Sequence, residues 1–593
     1  MNKLKPLPEE WSGLLNNEQK EAIENINGPL LIIAGAGSGK TRVLTYRYAH
    51  LIKTYGINFE NVLAITFTNK AANEMKDRIS DLLNLELSPK WISTFHSLCV
   101  KMLRIHGHLI GFNNNFTIYD QSDSTKLVRN CMRDSDIDTK QYSPKRIQAH
   151  ISSLKNQRIL PGEAVEFAQS FFDVKVAEIY SSYQKKLMLA NSMDFDDLLI
   201  KAVELLETSD KSLNYWSSKF QYIMIDEYQD TNMVQYRLVE LLASKHKNIC
   251  VVGDSDQSIY AFRGADIRNI EEFESDFKNA KVISLEKNYR SSQKILDIAN
   301  AVISNNPRKK DKKLWTDNDE GLDVNLVEFN SERDESRWIA EQINKLLEDK
   351  AFTEIAIFYR TNNQSRLFEE ELRKLSLSYK VVGNVRFYDR KEIKDILAYL
   401  NYLINPEDTV SFERILNVPK RGIGESTLQK LRDYANKNEI SLSKSIENLD
   451  EINNLSDRVK KQINNFKEII NDLKSFALQG PSETISKTLE LTGYKDELVK
   501  EGTLDSQMRL ENLDELLTSA FEFENLYEED IEDPFTVLRD YLESIALFTD
   551  SDDVDKEDRI LLMTLHLSLI HISEPTRPER IWYALLGVKK KRG

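Results

Sequence analysis

The feature that most restricts what this chain can fold into is a short apolar run ending in a glycine-rich loop. Pro29–Ile33 reads PLLII, and Ala34–Thr41 reads AGAGSGKT. A short apolar run bounded by glycine predicts a buried strand, and the amphipathic residues after Thr41 predict a helix. A strand, loop and helix of this kind let backbone N–H groups approach an anion at the helix amino terminus. In that setting Lys40 reaches the β and γ phosphates of a nucleotide, and Thr41 ligates magnesium. Ala34 stands where such loops usually begin with glycine, so Gly35 and Gly37 supply the flexibility.

The same rhythm recurs along the chain. Apolar runs at Asn61–Ile65, Gln221–Ile225, Asn248–Val252, Lys281–Leu285 and Glu354–Phe358 alternate with amphipathic stretches such as Ala71–Leu83. That alternation predicts an α/β fold with doubly wound parallel sheets and ligands at the carboxyl ends of the strands. Two stretches break it, at about 109–190 and 385–555, and both read as helical insertions. The second contains the turn signal PKRGIG, 419–424.

Composition matters for what it excludes. A chain of 593 residues has room for roughly four domains. With 41% hydrophobic and 30% charged residues it can bury true cores, which excludes collagen-like, mucin-like and wholly disordered chains. No run of about 18 apolar residues occurs, and the amino terminus MNKLKPLPEEWSGLL lacks an apolar leader core. Cys99, Cys131 and Cys250 form no CxxC pair and no disulfide framework. The expectation is a soluble, cytoplasmic protein with no membrane partner. The net charge of −15 is carried by Glu511–Ile560, where 18 acidic residues face 3 basic ones; elsewhere 77 of each sign balance. An acidic total therefore leaves a nucleic-acid partner open. The acidic window itself reads as a solvated helical face and linker.

A second carboxylate site narrows the chemistry. Ile223–Asp230 reads IMIDEYQD, an apolar strand ending in two acids. Asp226 at the strand tip suits a magnesium ligand, and Glu227 is placed to polarise an attacking water. Paired with the phosphate loop, this predicts nucleotide hydrolysis rather than phosphoryl transfer to a small molecule.

Further motifs follow in a fixed order: LNNEQKEAI (15–23), ITFTNKAANEM (65–75), STFHSL (93–98), DEYQDTN (226–232), VGDSDQSIYAFRGAD (252–266), LEKNYRS (285–291), YRTNNQSR (359–366) and MTLH (563–566). In this series the chain resembles the superfamily 1 DNA helicases of the UvrD/Rep/PcrA type. The resemblance implies two RecA-like P-loop motor domains, each with a mainly helical insertion, that use ATP and Mg2+ to move 3′ to 5′ on single strands and unwind duplex in repair or replication. It implies a first motor domain at 1–108 and 190–283 with its insertion at 109–189. The second would lie at 284–384 and 556–566, with its insertion at 385–555. Gln19 would read the adenine edge and Tyr289 would stack on it. Ala34, Gly35, Ala36, Gly37, Ser38, Gly39, Lys40, Thr41 and Arg42 would hold the phosphates. Gln257 would sense the γ phosphate and link nucleotide state to the DNA strand track, and Arg290 would act as an arginine finger.

On the DNA side the resemblance implies contacts from Phe67, His96, Tyr260, Phe262, Arg263, Arg360 and Asn362, with exposed aromatic rings stacking on bases; each ring, Tyr260 above all, has an ordinary core position as its alternative. Position 262, usually Trp in the family, is Phe here, and Ala261 stands where Arg is common, so the base step has less stacking area. PKRGIG resembles a duplex-backbone contact using Lys420 and Arg421, with a plain helix–helix turn as its alternative. The expected partners are single-stranded DNA and single-strand/duplex junctions; the resemblance names no protein partner. His106 and His108 read as surface histidines.

After MTLH the chain departs from the family. Where the family has a Ser-Ala-Lys-Gly-Leu-Glu-like segment and further strands, residues 567–577 read LSLIHISEPTR. That stretch resembles a translated sequencing adapter, which makes 567–593 an artefactual tail and predicts a second motor domain without its closing strands. The expectation is then an impaired motor, and the alternative function is a nucleotide-gated single-strand binding module that does not unwind. No acidic metal cluster of a nuclease accompanies the motor motifs. Gln257, Arg290 and the two-domain layout disfavour a small-molecule kinase.

Overall fold

A computed structural model of the chain describes residues 5–85, 89–306, 312–347, 351–352, 355–382, 387–527, 533–547, 559–566 and 585–589. Of Arg263 and residues 585–589 it describes the backbone alone. The strands, in chain order, are β1 (Leu30–Ala34), β2 (Val62–Thr66), β3 (Ile92–Thr94), β4 (Thr117–Tyr119), β5 (Ser192–Asp194), β6 (Tyr222–Ile225) and β7 (Ile249–Gly253). They continue with β8 (Lys281–Leu285), β9 (Asn325–Phe329), β10 (Ala356–Tyr359), β11 (Tyr379–Val381), β12 (Ile560–Thr564) and β13 (Leu585–Lys589). The chain forms two compact units, each discontinuous in sequence: 1–98 with 209–384 and 549–593, and 99–208 with 385–548.

The first unit is built on a six-stranded parallel sheet of order β3-β2-β6-β7-β1-β8. Its inner strands are apolar along their length because helices cover both faces; β2, β6 and β7 are buried at every position. Leu30, Ile32, Val62, Ala64, Met224 and Val252 share one core with Val43, Leu44 and Tyr48 of the helix Lys40–Tyr55. That helix stops at Gly56, whose φ of 66° lets its N–H reach the carbonyls of Leu51 and Ile52. The strand order carries the functional consequence. β7 alone separates β1, which feeds the glycine loop, from β6, which feeds the acidic pair, so both motifs leave the same end of the sheet.

A second α/β lobe of this unit has the parallel order β10-β12-β11. Ile357, Tyr359, Ile560 and Leu562 pack with Ala340 and Ile343 of the helix Glu332–Leu346 and with Phe368 and Leu372 of the helix Ser365–Lys374. Two P-loop-type lobes of parallel strands and helices are the α/β architecture expected. One expectation needs correction: a strand does occur in the tail read as artefactual, where β13 pairs in parallel with β9, Leu585 opposite Asn325. The run LLGVK is apolar enough to take up a free strand ladder. Residues 567–584 and 590–593 lie outside the described residues.

The second unit is helical, apart from the short parallel pair β4–β5. The two stretches expected as separate insertions form one body. Tyr119 donates its hydroxyl to Asp408 Oδ1 at 2.6 Å, and the Asn405 amide donates to Thr117 Oγ1, Ala190 O and Asn191 O, each at 2.9 Å. Val410 sits in the core made by Leu127, Val128, Ile147, Ile151 and Tyr180. Lys155, fully buried, is neutralised by Asp194 Oδ2 at 2.7 Å and Asp197 Oδ1 at 2.8 Å. Parts of the acidic window, 528–532 and 548–558, lie outside the described residues. Among the described residues no helix is long and apolar enough to cross a membrane.

Candidate functional site

The glycine loop is shaped by its neighbours. Gly37 and Gly39 adopt φ of +67° and +88°, a region that suits glycine. A Cβ at Gly37 would lie 2.6 Å from Asn288 Nδ2, and one at Gly39 would lie 3.0 Å from Gln19 Nε2. A Cβ at Gly35 would strike Leu314. Ser38 closes the turn by donating its hydroxyl to Gly35 O at 2.7 Å. The cradle is therefore one that only minimal side chains permit, as a backbone-lined phosphate site requires.

Lys40 and Thr41 open the helix and face the acidic pair. The Lys40 ammonium donates to both carboxylate oxygens of Glu227, at 2.6 and 2.7 Å, and lies 3.5 Å from Gln257 Oε1. Burial alone would lower the Lys40 pKa; the Glu227, Asp226 and Asp254 carboxylates outweigh it and hold the ammonium above its ordinary value. Thr41 donates its hydroxyl to Asp226 Oδ2 at 3.2 Å. Burial, then repulsion from Glu227, pushes Asp226 up to about 6; the same two causes push Asp230 up to about 7. A hydroxyl and a carboxylate side by side are hard oxygen donors of the kind magnesium takes, so this pair fits that ion. Glu227 itself has φ of 49°, which turns its carboxylate back toward Lys40.

Around the loop stand the other expected nucleotide residues. Gln19 is buried: it donates Nε2 to Ser38 O at 3.0 Å and accepts the Asn16 N–H at 3.2 Å, so its amide also braces the loop. Tyr289 is exposed, takes a hydrogen bond from Asn16 Nδ2 at 2.9 Å, and donates its N–H to Gly37 O at 2.9 Å. The Cβ of Arg290 would lie 2.9 Å from a Cβ placed on Gly37, which sets this arginine beside the loop. The Arg42 guanidinium lies over the Tyr46 ring, 5.7 Å from its centroid.

A row of rings follows β2 and β7. Phe67 and Tyr260 lie 5.3 Å apart, Tyr260 and Phe262 6.0 Å, and Phe262 and His566 4.9 Å. For Tyr260 the sequence leaves base stacking and an ordinary core position open, and the structure places it in the core: the ring is 2% exposed and donates its hydroxyl to His566 O at 2.7 Å. Phe262, at 64%, presents its ring to solvent. Burial pushes His96 down to about 4, so it is a neutral imidazole at physiological pH. Arg360 and Asn362 are exposed on the turn that follows β10. Arg263 ends the short turn Ala261–Arg263 and is described in its backbone alone.

Arg421 departs from the duplex-contact expectation. Its guanidinium donates to Ile415 O at 2.8 Å, Val418 O at 3.1 Å and the Tyr399 hydroxyl at 2.6 Å, which makes it the cap of the preceding helix. Lys420 is exposed.

Four residues of the site were not singled out from sequence. Asn288 donates to Ala36 O at 2.6 Å and accepts the N–H groups of Arg290 and Ser291. Gln229 joins Glu227 to Asp254. Lys312 pairs with Asp254, and with Asp256 at 3.3 Å. His566 completes the row of rings. Asn288, Gln229 and His566 lie inside quoted motifs, where a polar side chain next to assigned residues was the available signal. Lys312 carried no local signal.

Comparison with known proteins agrees with this geometry. Residues 15–278 match the UvrD/REP helicase N-terminal domain, and residues 283–568 match the UvrD-like helicase C-terminal domain. The chain is 45% identical over 554 residues to the ATP-dependent DNA helicase PcrA of Staphylococcus aureus, spanning 93% of this chain and 75% of that protein. The PcrA of Staphylococcus epidermidis is similar to the same extent, 45% over 554 residues. These matches reach both helicase domains and lend no support to the expectation of an impaired motor. A phosphate loop, an acidic pair across one strand and two domain matches in register lead to one assignment: the chain belongs to the UvrD/REP family of helicases.

Proposed function

We propose that this protein is an ATP-dependent DNA helicase that translocates 3′ to 5′ on single strands and opens duplex at single-strand/duplex junctions, in repair or replication. The observation that carries the reading is the convergence of Lys40, Glu227 and Gln257 at the glycine loop, within 3.5 Å of one ammonium. The relatives named DNA helicases support the choice of DNA as the track.

In this reading the loop Ala34–Thr41 wraps the phosphates and Lys40 leaves Glu227 for the β and γ oxygens. Glu227, so released, takes a proton from the attacking water; oxygen bonds to the γ phosphorus as the bond to the β–γ bridging oxygen breaks, giving ADP and phosphate. Thr41 and Asp226 would hold magnesium, which would supply neutralisation of the phosphate charge. Arg290 and Gln257 meet the charge that develops on the γ phosphate, and Tyr289 stacks on the base. On the DNA side Phe262 offers the exposed stacking face, backed by Tyr260 and Phe67. Arg360 and Asn362 offer polar contacts from the second lobe.

The test is steady-state ATP hydrolysis with and without a single-stranded oligonucleotide. The reading expects turnover that rises at least about tenfold when DNA is added and is lost without magnesium. Turnover indifferent to DNA would instead favour a nucleotide hydrolase without a nucleic-acid track.

A further inference from the structure

We infer that Gln229 is a positioning residue that ties the hydrolytic carboxylate to the turn leading into the row of rings, so that DNA contact and hydrolysis are coupled through one amide. The inference rests on the reading above and deepens it.

The amide is 1% exposed and its hydrogen-bonding capacity is engaged on both sides. Gln229 Nε2 donates to Glu227 Oε2 at 2.7 Å and to Asp230 Oδ2 at 3.2 Å, while Gln229 Oε1 accepts the Asp254 N–H at 2.9 Å. Its orientation follows from these partners. A flipped amide would aim its oxygen at two carboxylates and its N–H groups at another N–H. The backbone carbonyl adds a further tie, accepting from Ser258 Oγ at 3.4 Å. Gly253 explains how the amide comes so close: a Cβ there would lie 2.6 Å from Gln229 Oε1 and push it off the Asp254 N–H.

Asp254 passes the constraint on. Its carboxylate accepts Gln257 Nε2 at 2.7 Å, and Gln257 Oε1 returns to the Lys40 ammonium at 3.5 Å. Lys40, Glu227, Gln229, Asp254 and Gln257 therefore close a ring of hydrogen bonds. The turn that begins at Asp254 continues directly to Tyr260 and Phe262. A shift of Glu227 as Lys40 turns to phosphate pulls on Asp254 through Gln229, and a shift of the rings on a base pulls the other way.

The experiment uses the full chain with Gln229→Leu, which keeps volume and removes both arms, and Gln229→Glu, which keeps the acceptor for Asp254 but sets a carboxylate against Glu227. ATP turnover is measured with and without oligo-dT, with KM for ATP from the same curves. Both variants are expected to lose DNA-stimulated kcat by about tenfold or more, with KM within about twofold and the ratio of stimulated to basal turnover falling toward one. A merely structural role lowers the amount of active protein and leaves that ratio unchanged. Should Gln229→Leu fail to fold, the nearly isosteric Gln229→Glu decides. An unchanged ratio in the folded variants, beside a stimulated wild type, overturns the inference alone. A wild type that DNA does not stimulate overturns the reading beneath it, and the inference with it.

Discussion

Both carboxylate oxygens of Glu227 lie on the ammonium of Lys40, at 2.6 and 2.7 Å, with side chains 16% and 7% exposed. A lysine that must meet phosphate is thus held by the residue that must meet water, and each is freed when the other is engaged. Removing the negative charge but not the shape should separate the two jobs. Glu227→Gln is expected to lower ATP turnover by about a hundredfold or more, since proton abstraction is lost. Nucleotide affinity should hold or tighten, because Lys40 no longer gives up an ion pair. Lys40→Ala should do the opposite to affinity and leave Glu227 beside Asp226 without its cation. Titration with a fluorescent nucleotide, run beside the turnover assay, separates these outcomes.

The row of rings makes unequal predictions for its members. Phe262 is the exposed ring, so Phe262→Ala should weaken single-strand binding by about 1–3 kcal/mol, and Phe262→Trp should strengthen it by adding stacking area. Tyr260 is buried with its hydroxyl on His566 O. Tyr260→Phe should therefore cost about 1 kcal/mol of stability and change DNA affinity less than Phe262→Ala does. Fluorescence anisotropy with a labelled oligonucleotide ranks the three.

His50 provides an acid-sensitive element away from the site. Its ring is fully buried, and burial, partly offset by the Lys5 backbone, pushes its pKa from 6.5 down to about 4. The unfolded chain binds the extra proton as pH falls from 6.5 to 4, so the stability from a neutral His50 is present above 6.5 and lost on the way to 4. The loss is about 1–3 kcal/mol. His50→Leu is expected to fold at neutral pH and to flatten this part of the stability profile, read by urea unfolding at several pH values.

Arg421 separates structure from DNA contact in the helical unit. Arg421→Ala should lower the unfolding midpoint, a loss of about 2–3 kcal/mol, because four acceptors lose their donor and the guanidinium leaves the Phe466 face, 5.3 Å away. Duplex affinity of the folded variant should match the wild type. A folded Arg421→Ala that loses duplex affinity would return this residue to the DNA surface.

Much of the site is legible in the sequence because its chemistry is local. AGAGSGKT must follow a strand for its backbone to cradle phosphate, and IMIDEYQD must end one for its acids to face the loop. The residues that hold these groups in place were harder to see, because they act across long separations. Lys312 meets Asp254 from 58 positions away, and Tyr260 meets His566 O from 306. β3, with three residues, is too short for any period to show. The union of the two helical stretches depends on Tyr119 finding Asp408, 289 residues on, which no local pattern encodes. Arg421 reads as a DNA contact because a basic residue beside glycines looks the same whether it meets phosphate or caps a helix.

The central claim is that hydrolysis at Lys40 and Glu227 drives strand separation along DNA. The most direct measurement is unwinding of a short duplex carrying either a 3′ or a 5′ single-stranded tail, by the wild type and by Glu227→Gln, with ATP and magnesium. The account predicts that the wild type opens the 3′-tailed duplex well ahead of the 5′-tailed one, and that Glu227→Gln binds both and opens neither. Equal opening of the two substrates, or opening by Glu227→Gln at the wild-type rate, would contradict it.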